Sequence, residues 1–318
     1  MDIHPPVEPA NSDSIVRAVQ VLCRGGLVAI PTETVYGLAA DAANDDAVAG
    51  IFAAKDRPRF NPLIVHVRDV EHALTLAEFS PMAFQLAAAF WPGPLTLVLP
   101  RRANARVSLL ATAGLDTIAL RVPAHQTARC LLEQSQLAIA APSANRSGTV
   151  SSTTASHVAE SLGEAVDFVL DAGPAEHGIE STIVGLDGTA PVLLRPGALP
   201  REQMEALVGP LGAHAGDGIA SPGQMRSHYA PKTPLRLNAH GAAAGEALLA
   251  FGTPAAHAPV MRNLSESGDV REAAANLFAM LHELDRAGCT AIAVMPVPPG
   301  GLGEAINDRL QRAAAPKD

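Results

Sequence analysis

Aromatic residues, cysteines and positive charge are all scarce in this chain. Aromatics make up 3% of its residues, and acidic residues outnumber basic ones by 32 to 23. The three cysteines, Cys23, Cys130 and Cys289, form no C-x-x-C pair, which excludes a disulfide framework and a zinc-binding signature. A net charge of -9 disfavours wide electrostatic contact with tRNA or DNA, because general nucleic-acid binders are usually basic.

Long hydrophobic runs are also missing. No stretch of about 18 apolar residues could form a transmembrane helix, and the first residues lack the basic and apolar segments of a secretory signal peptide. We therefore expect a soluble, cytoplasmic protein with no membrane partner. Cys23 and Cys130 fall within apolar helical patterns, which predicts that they are small core residues.

Apolar residues, in contrast, are plentiful. They make up 48% of the 318 residues and charged residues only 17%, which predicts a sizeable core and about two domains. Short apolar runs alternate with helical patterns, as is typical of an α/β fold. We predict a first domain over residues 1–208, a linker over 209–234 and a small C-terminal α/β domain over 235–318.

The linker and the C-terminal domain differ in what they carry. The linker is rich in glycine, alanine, proline and serine, as spacers are, yet it holds Arg226, His228 and Tyr229 in close order, which an inert spacer would not need. The C-terminal domain shows no glycine-rich phosphate fingerprint and no dense polar group, so we assign it no chemistry. Residues 241–251 there predict a helix.

A loop with concentrated positive charge occupies residues 55–67, which read K-D-R-P-R-F-N-P-L-I-V-H-V. Lys55, Arg57 and Arg59 lie close together, two prolines restrict the backbone, and the following apolar run predicts a strand. Such a loop suits an anionic ligand such as a nucleoside triphosphate, because cationic side chains pair with phosphates and a stiff loop loses little entropy on binding. Taken alone, the pattern fits a solvated basic loop equally well.

Polar side chains also follow the ends of several predicted strands, where open α/β sheets form their ligand sites. Thr32, Glu33 and Thr34 follow one strand, and Arg121 lies near the end of another. Segments of this kind lie at 31–37, 55–66, 117–121, 142–151, 180–182 and 195. If these ends converge, the site holds at least four positive charges and many hydroxyls. That combination suits a nucleoside triphosphate together with a small amphoteric co-substrate.

The order of these motifs resembles that of the YrdC-like threonylcarbamoyl-AMP synthases. Residues 14 to 208 contain, in sequence, P-T-E-T-V-Y-G-L, K-D-R-P-x-x-N-P-L-I-V-H, L-R-V-P, A-P-S-A-N-x-S-G, E-S-T-I-V and L-R-P-G. The linker S-P-G-Q-M-R-S-H-Y-A-P, with a domain after it, resembles the long, two-domain form. The resemblance implies an open, twisted mixed-sheet α/β catalytic domain with a large concave cavity, plus a small Rossmann-like α/β C-terminal domain.

The resemblance also implies an activity. Enzymes of this family convert ATP, L-threonine and bicarbonate (or CO2) into L-threonylcarbamoyl-AMP and pyrophosphate. The product serves the threonylcarbamoyladenosine modification at position 37 of tRNA. By this resemblance Mg²⁺ accompanies ATP without a protein-bound structural metal. The partners implied are the downstream tRNA threonylcarbamoyl-transfer machinery and, at most, a weak contact with tRNA itself.

The site residues follow from the resemblance, position by position. The family's K-x-R and S-x-N pairs fall here on the predicted catalytic residues Lys55, Arg57, Ser143 and Asn145. The residues implied to hold L-threonine are Thr34, His66, Arg121, Ser143 and Ser181. Those implied to contact ATP are Lys55, Arg57, Asn61, Thr117, Ala141, Ser151, Arg195 and, from the linker, Tyr229.

Two other functions stay open at this point. The same fold could bind double-stranded RNA or tRNA without catalysis, because fold does not fix function, although the net charge of -9 disfavours this. The chain could also be a different ATP-dependent carbamoylating or adenylating enzyme that uses another amine.

Overall fold

A computed structural model describes residues 5–188, 190–213, 221–223, 225, 227–254 and 258–316. These residues form one sheet of 11 strands and a second sheet of four strands, each covered by helices. Within the described ranges, no helix combines the length and the apolar character needed to cross a bilayer. Arg226 of the linker falls outside the described residues.

The strands of the larger sheet are short and mostly buried. They are β1 (Val7–Pro9), β2 (Val28–Ile30), β3 (Gly37–Asp41), β4 (Ile64–His66), β5 (Leu95–Pro100), β6 (Thr117–Arg121), β7 (Ile139–Ala140), β8 (Phe168–Asp171), β9 (Thr182–Gly185), β10 (Val192–Arg195) and β11 (Gly212–Ala213). Their spatial order is β1-β8-β2-β3-β7-β4-β6-β5-β9-β10-β11. Parallel and antiparallel neighbours both occur, so the expected open, mixed α/β sheet is confirmed.

All but the last of the helices described in this part begin at a side chain that caps them. They are α1 (Ser12–Cys23), α2 (Asp45–Lys55), α3 (Val70–Leu76), α4 (Pro81–Phe90), α5 (Gln126–Ser135), α6 (Ala155–Leu162) and α7 (Arg201–Val208). Asn44 caps α2 and Thr154 caps α6 by accepting hydrogen bonds from backbone N–H groups that have no partner within the helix. In α1 the capping residue is Asn11.

Strand register places the predicted site residues at one edge of the sheet. β4 and β6 are parallel neighbours, and their register pairs His66 with Arg121. Both residues end their strands and are buried. Lys55 is the last residue of α2, and Asp56 follows it in the left-handed conformation (φ 50°), which turns the chain into the basic loop. The basic loop and two strand ends therefore lie together.

The C-terminal part is a smaller sheet with two helices. Its strands are β12 (Leu235–Arg236), β13 (Glu246–Ala250), β14 (Met261–Asn263) and β15 (Ala291–Val294), and its helices are α8 (Val270–Asp285) and α9 (Leu302–Ala314). All strand pairs are parallel, in the order β12-β15-β13-β14, as expected for the small α/β domain. The predicted helix over 241–251 is wrong, because this segment contains β13, a central strand that is almost entirely buried.

Two further features bear on the predictions. The linker's Tyr229 and three residues of the larger part, Val35, Val150 and Ile179, pack into the same apolar cluster as Phe278 of α8. The division into two sheets is compatible with the predicted boundaries 1–208, 209–234 and 235–318, which stay a prediction.

The cysteine prediction was wrong for Cys23, whereas Cys130 packs against an apolar cluster of the core. Cys23 is exposed and Cys130 only half-buried. Cys23 follows the buried Leu22 and therefore lies about 100° around the helix, on the solvent side.

Candidate active site

A buried cavity lies where strand ends of the larger sheet meet the linker. Each of the six polar segments predicted from the sequence contributes at least one residue to its wall, so their predicted convergence is confirmed. Of the residues predicted from the resemblance, those that line the cavity are Thr34, Arg57, His66, Arg121, Ala141, Ser143, Ser181, Arg195 and Tyr229. The role of each residue stays a prediction.

Arg121 organises one wall of the cavity. Its guanidinium donates from Nη2 to Glu33 Oε1 (2.5 Å), from Nη1 to Thr34 Oγ1 (2.9 Å) and from Nε to the Gly93 carbonyl (3.2 Å). Burial alone would raise the pKa of Glu33, but the charge and hydrogen bond of Arg121 outweigh it and lower that pKa to about 2. The Arg121–Glu33 ion pair is therefore fixed in this wall. Two of the five N–H donors of the Arg121 guanidinium take no part in the three hydrogen bonds just described.

His66 stands beside this pair as a neutral side chain. Burial, and next the positive charge of Arg121, lower the pKa of His66 to about 3. Its Nδ1 is buried and makes no hydrogen bond within the described protein. Because buried polar atoms normally have partners, this nitrogen is a free hydrogen-bonding group at the cavity wall.

Lys55 lies directly behind the cavity. Its Nζ donates to the Ser143 carbonyl (2.6 Å) and to the Asn145 carbonyl, so the lysine fixes the loop that follows β7. Burial, and next the charge of Arg57, hold the pKa of Lys55 well below its ordinary value. The Asn145 amide in turn donates to Arg146 and Thr149 carbonyls (both 2.9 Å).

Arg195 and Ser181 form a second part of the cavity wall. Arg195 donates from Nη2 to the Ser181 carbonyl (2.9 Å) and hydroxyl (3.2 Å), and from Nη1 to the Pro222 carbonyl of the linker (3.3 Å). The Ser181 hydroxyl also lies 2.8 Å from the Thr96 hydroxyl. Arg57 folds its own loop by donating to the carbonyls of Asn61 (3.1 Å) and Pro62 (2.8 Å).

Several predicted residues are not brought to the cavity lining. Asn61 lies in the basic loop and donates to Met225 Sδ of the linker (3.5 Å), with its Oδ1 buried and without a partner in the described protein. Ser151 lies behind the wall and donates to Glu180. Thr117 begins β6 whereas Arg121 ends it, so the two are about 13 Å apart along the strand. The predicted ATP contact of Thr117 therefore finds no support in the lining.

The linker covers the cavity. Pro222, Gly223, His228 and Tyr229 all line it, and Tyr229 is 1% exposed. The enclosed volume is about 40 Å³, which holds a water molecule or two but not a nucleotide, since ligand pockets measure roughly 300–1,000 Å³. In this arrangement the linker lies over the cavity and leaves too little room for a nucleotide, so the linker or the side chains of the wall must shift before a large ligand enters.

The cavity is electropositive. Arg57, Arg121 and Arg195 line it, and Glu180 is the carboxylate among the lining residues. Burial, and next the cations led by Arg57, hold the pKa of His228 well below its ordinary value. Such a site favours a ligand with several negative charges.

Three charged residues near the cavity were not predicted as site residues. Glu33 pairs with Arg121, and Glu180 pairs with Arg309 of α9 (2.9 Å). Glu33 lies within the P-T-E-T motif and Glu180 opens E-S-T-I-V, so motif position could have found both. Arg309 has no such signal, because it lies on a helix rich in charged residues, where an exposed position is the usual interpretation.

An open mixed α/β sheet whose strand ends enclose a cation-rich cavity defines a class of α/β proteins that bind anionic small molecules. Comparison with known proteins narrows this class. The family model for Sua5, YciO and YrdC, described as "Telomere recombination", matches residues 20–197. A second, described as "Threonylcarbamoyl-AMP synthase, C-terminal domain", matches residues 199–315. The chain belongs to this Sua5/YrdC family of threonylcarbamoyl-AMP synthases, in its two-domain form.

Individual relatives agree with this assignment. The threonylcarbamoyl-AMP synthase of Pyrococcus abyssi is 41% identical over 312 residues, which cover 91% of each chain. That of Bacillus subtilis is 38% identical over 327 residues, covering 96% of this chain and 94% of the relative. The crystal structure of P. abyssi Sua5 complexed with L-threonine matches with a TM-score of 0.90 at 38% identity, covering 99% of this chain and 98% of the other.

Proposed function

We propose that this protein synthesises L-threonylcarbamoyl-AMP from L-threonine, bicarbonate or CO2, and ATP, with release of pyrophosphate. The product serves the threonylcarbamoyladenosine modification of tRNA. The observation that carries the proposal is the single cavity that joins the Arg121 wall to the Arg57 and Arg195 wall in a chain of this family. One wall suits an amino acid and the other a polyphosphate.

We assign threonine binding to the part of the wall formed by Arg121 and its partners. Glu33 and Thr34 hold the guanidinium in place, and its two remaining N–H donors are available to the carboxylate of threonine. The hydroxyls of Thr34 and Ser181, at the same cavity, can hydrogen-bond the polar groups of the amino acid. His66 has a pKa of about 3, which makes it a poor general base at neutral pH, so we assign it a hydrogen-bonding role.

The reaction is then an attack of one anion on another. The amine of threonine adds to CO2 and loses a proton to give a carbamate. A carbamate oxygen attacks the α-phosphorus of ATP, the bond from that phosphorus to the oxygen bridging to the β-phosphorus breaks, and pyrophosphate leaves. Lys55, Arg57 and Arg195 lower the repulsion between the two anions and stabilise the charge that develops on pyrophosphate, while the walls align the reactants.

In this scheme the pKa of Lys55 changes when the ligand binds. In the closed cavity burial and Arg57 lower its pKa, which disfavours the charged ammonium. Phosphates placed nearby supply opposite charge and raise that pKa again. Bound phosphates therefore offset part of the effect that burial has on the pKa of Lys55.

Mg²⁺ belongs to the proposal as a companion of ATP. The described residues contain no group of three or more histidine, cysteine, aspartate or glutamate side chains that could hold a metal ion. Mg²⁺ in nucleotide sites is usually held by phosphates and water together with one or two carboxylates. The steps given above rest on the side chains of the chain itself.

The test is a pyrophosphate-release assay with purified protein, ATP and Mg²⁺. We expect release that requires both L-threonine and bicarbonate, with threonylcarbamoyl-AMP identified by mass spectrometry. Equal release without threonine would contradict the proposal, and equal release with other amino acids would favour a different amine acceptor. Salt-dependent RNA binding without any turnover would indicate a binding protein.

A further inference from the structure

Arg309 is the largest fully buried side chain among the described residues, and its contacts lie largely outside its own domain. From α9 its Nε donates to Glu180 Oε2 (2.9 Å) and its Nη1 to the Pro196 carbonyl (2.9 Å). Its guanidinium carbon lies 5.0 Å from the ring centre of Tyr229. A C-terminal arginine thus touches both the catalytic domain and the linker.

Burying this guanidinium is costly for the fold. Desolvation of a buried charge is repaid only where geometry and hydrogen bonds are good. Arg309 has two carboxylate partners, Glu180 and the adjacent Asp308 (2.7 Å), but its Nη2 is buried without a hydrogen-bond partner in the described part of the chain. The exposed interdomain pair between Arg286 and Glu160 joins the same two parts without that cost. Adhesion between the domains alone does not explain a buried arginine here.

The contacts of Arg309 lead to two elements of the cavity. Glu180, which lines the cavity, accepts from Arg309 through one carboxylate oxygen and from the Ser151 hydroxyl through the other. Tyr229, which covers the cavity, contacts Arg309 and also stacks with Phe278, whose ring centre is 5.6 Å away. Both the cation and the phenyl ring come from the C-terminal domain.

We propose that Arg309 is a positioning residue through which the C-terminal domain holds the linker closed and fixes the Glu180–Ser151 side of the cavity. Its cation attracts the face of Tyr229, and its planar fork orients Glu180. The proposal rests on the proposed function where it concerns ATP, because Ser151 and Tyr229 are two of the residues assigned to ATP. The closure of the linker does not depend on that function.

The experiment compares Arg309→Ala and Arg309→Lys with Arg286→Ala as the control that removes the exposed interdomain pair. Hydrogen–deuterium exchange of the ligand-free protein follows the amides of His228 and Ala230. They are protected by bonds to the Arg312 carbonyl (3.3 Å) and the Gly148 carbonyl (2.8 Å). Steady-state kinetics give KM separately for ATP and for threonine.

For Arg309→Ala we expect exchange of these two amides and KM for ATP each to rise about tenfold or more, the size of effect that one desolvated cation–π contact can have. KM for threonine should change less, because the Arg121 wall has its own partners. Arg309→Lys, which keeps the charge but lacks the fork, should lie between. If Arg309→Ala does not fold, Arg309→Lys carries the test alone.

The proposal is overturned if the Arg309 variants leave linker exchange and KM for ATP within about twofold of the wild-type values, or if Arg286→Ala changes them equally. Faster exchange throughout the C-terminal domain would also overturn it, since that result marks a general structural role. Failure of the proposed function would appear as wild-type protein without threonine-dependent turnover. The exchange measurement would still decide the role of Arg309.

Discussion

One added methyl group at Gly223 should prevent the linker from closing. Gly223 has φ +86°, and a Cβ built there lies 2.7 Å from Tyr229 Oη and 2.8 Å from Arg195 Cδ. Both neighbours are buried, and Arg195 is held by its bonds to Ser181 and Pro222, so neither side chain can move away freely. Gly223→Ala therefore acts on the closed state of the cavity.

The expected magnitude has two parts. The left-handed backbone conformation costs an alanine roughly 1–2 kcal/mol, and overpacking of a well-filled site typically costs about 1–3 kcal/mol. Gly209→Ala is the control for a positive φ at an open position, because Gly209 has φ +83° and a Cβ there meets no atom within 4 Å. The contact term alone corresponds to a loss of about 5- to 150-fold in closing.

The assay is calorimetric binding of a non-hydrolysable ATP analogue, together with exchange of linker amides in the free protein. We expect Gly223→Ala to weaken nucleotide binding about tenfold or more relative to Gly209→Ala, because the closed linker can no longer complete the cavity. Equal affinities of the two variants would refute the reasoning that the closed linker seen here is the nucleotide-binding arrangement.

Three further predictions concern single side chains of the site. Lys55→Ala and Arg57→Ala should each reduce the rate of pyrophosphate release by at least about a hundredfold, because each removes positive charge from beside the phosphates. If both variants are folded by circular dichroism and release pyrophosphate at rates near that of the wild type, the basic loop has no part in the mechanism. Glu33→Gln should lower the free energy of unfolding by about 3–5 kcal/mol, since it leaves the buried Arg121 without its counter-charge. It should also raise KM for threonine. Urea unfolding and steady-state kinetics measure the two effects, and an unchanged unfolding midpoint would show that the stability of the fold does not need the ion pair. His66 has a folded pKa of about 3 against an ordinary 6.5, so its contribution to stability is present above pH 6.5 and is lost as pH falls from 6.5 towards 3. His66→Asn should therefore reduce the slope of the unfolding free energy against pH by up to about 1.4 kcal/mol per pH unit in that range. Equal slopes in the two proteins would mean that the histidine is not neutral in the folded protein.

The sequence predicted strands where the apolar runs are β-branched and missed a strand where they are not. The apolar runs before Pro31 and around Ile64 to Val67 are short and β-branched, and they form strands near the predicted positions. The strand β3, Gly37–Asp41, was missed, because Gly-Leu-Ala-Ala-Asp follows a polar motif and has no alternation. Its strand conformation comes from pairing with β2 and β7, which local sequence does not record.

The wrong helix over 241–251 has a related cause. Glu246, Ala247, Leu248 and Leu249 are all good helix formers, and a continuous apolar run fits a buried strand and a buried helix equally well. Pairing on both sides, with β14 and β15, decides for the strand.

The site was predicted where its residues lie in motifs and missed where they do not. Arg121 and Ser143 were found because each follows or ends an apolar run in a recognisable motif. Glu33, the partner of Arg121, was not predicted, because a sequence does not show which carboxylate pairs with which cation. Arg309 could not be found at all, because its burial depends on how α9 packs on a different domain.

The apolar cluster that Val35, Val150 and Ile179 share with Phe278 and Tyr229 has a consequence for how the molecule unfolds. Because residues of both parts lie in one cluster, neither part can lose its packing without exposing apolar surface of the other. The two domains should therefore melt in a single calorimetric transition, despite having separate sheets. Removing the C-terminal domain would leave an uncovered apolar patch on the catalytic domain and with it a tendency to aggregate.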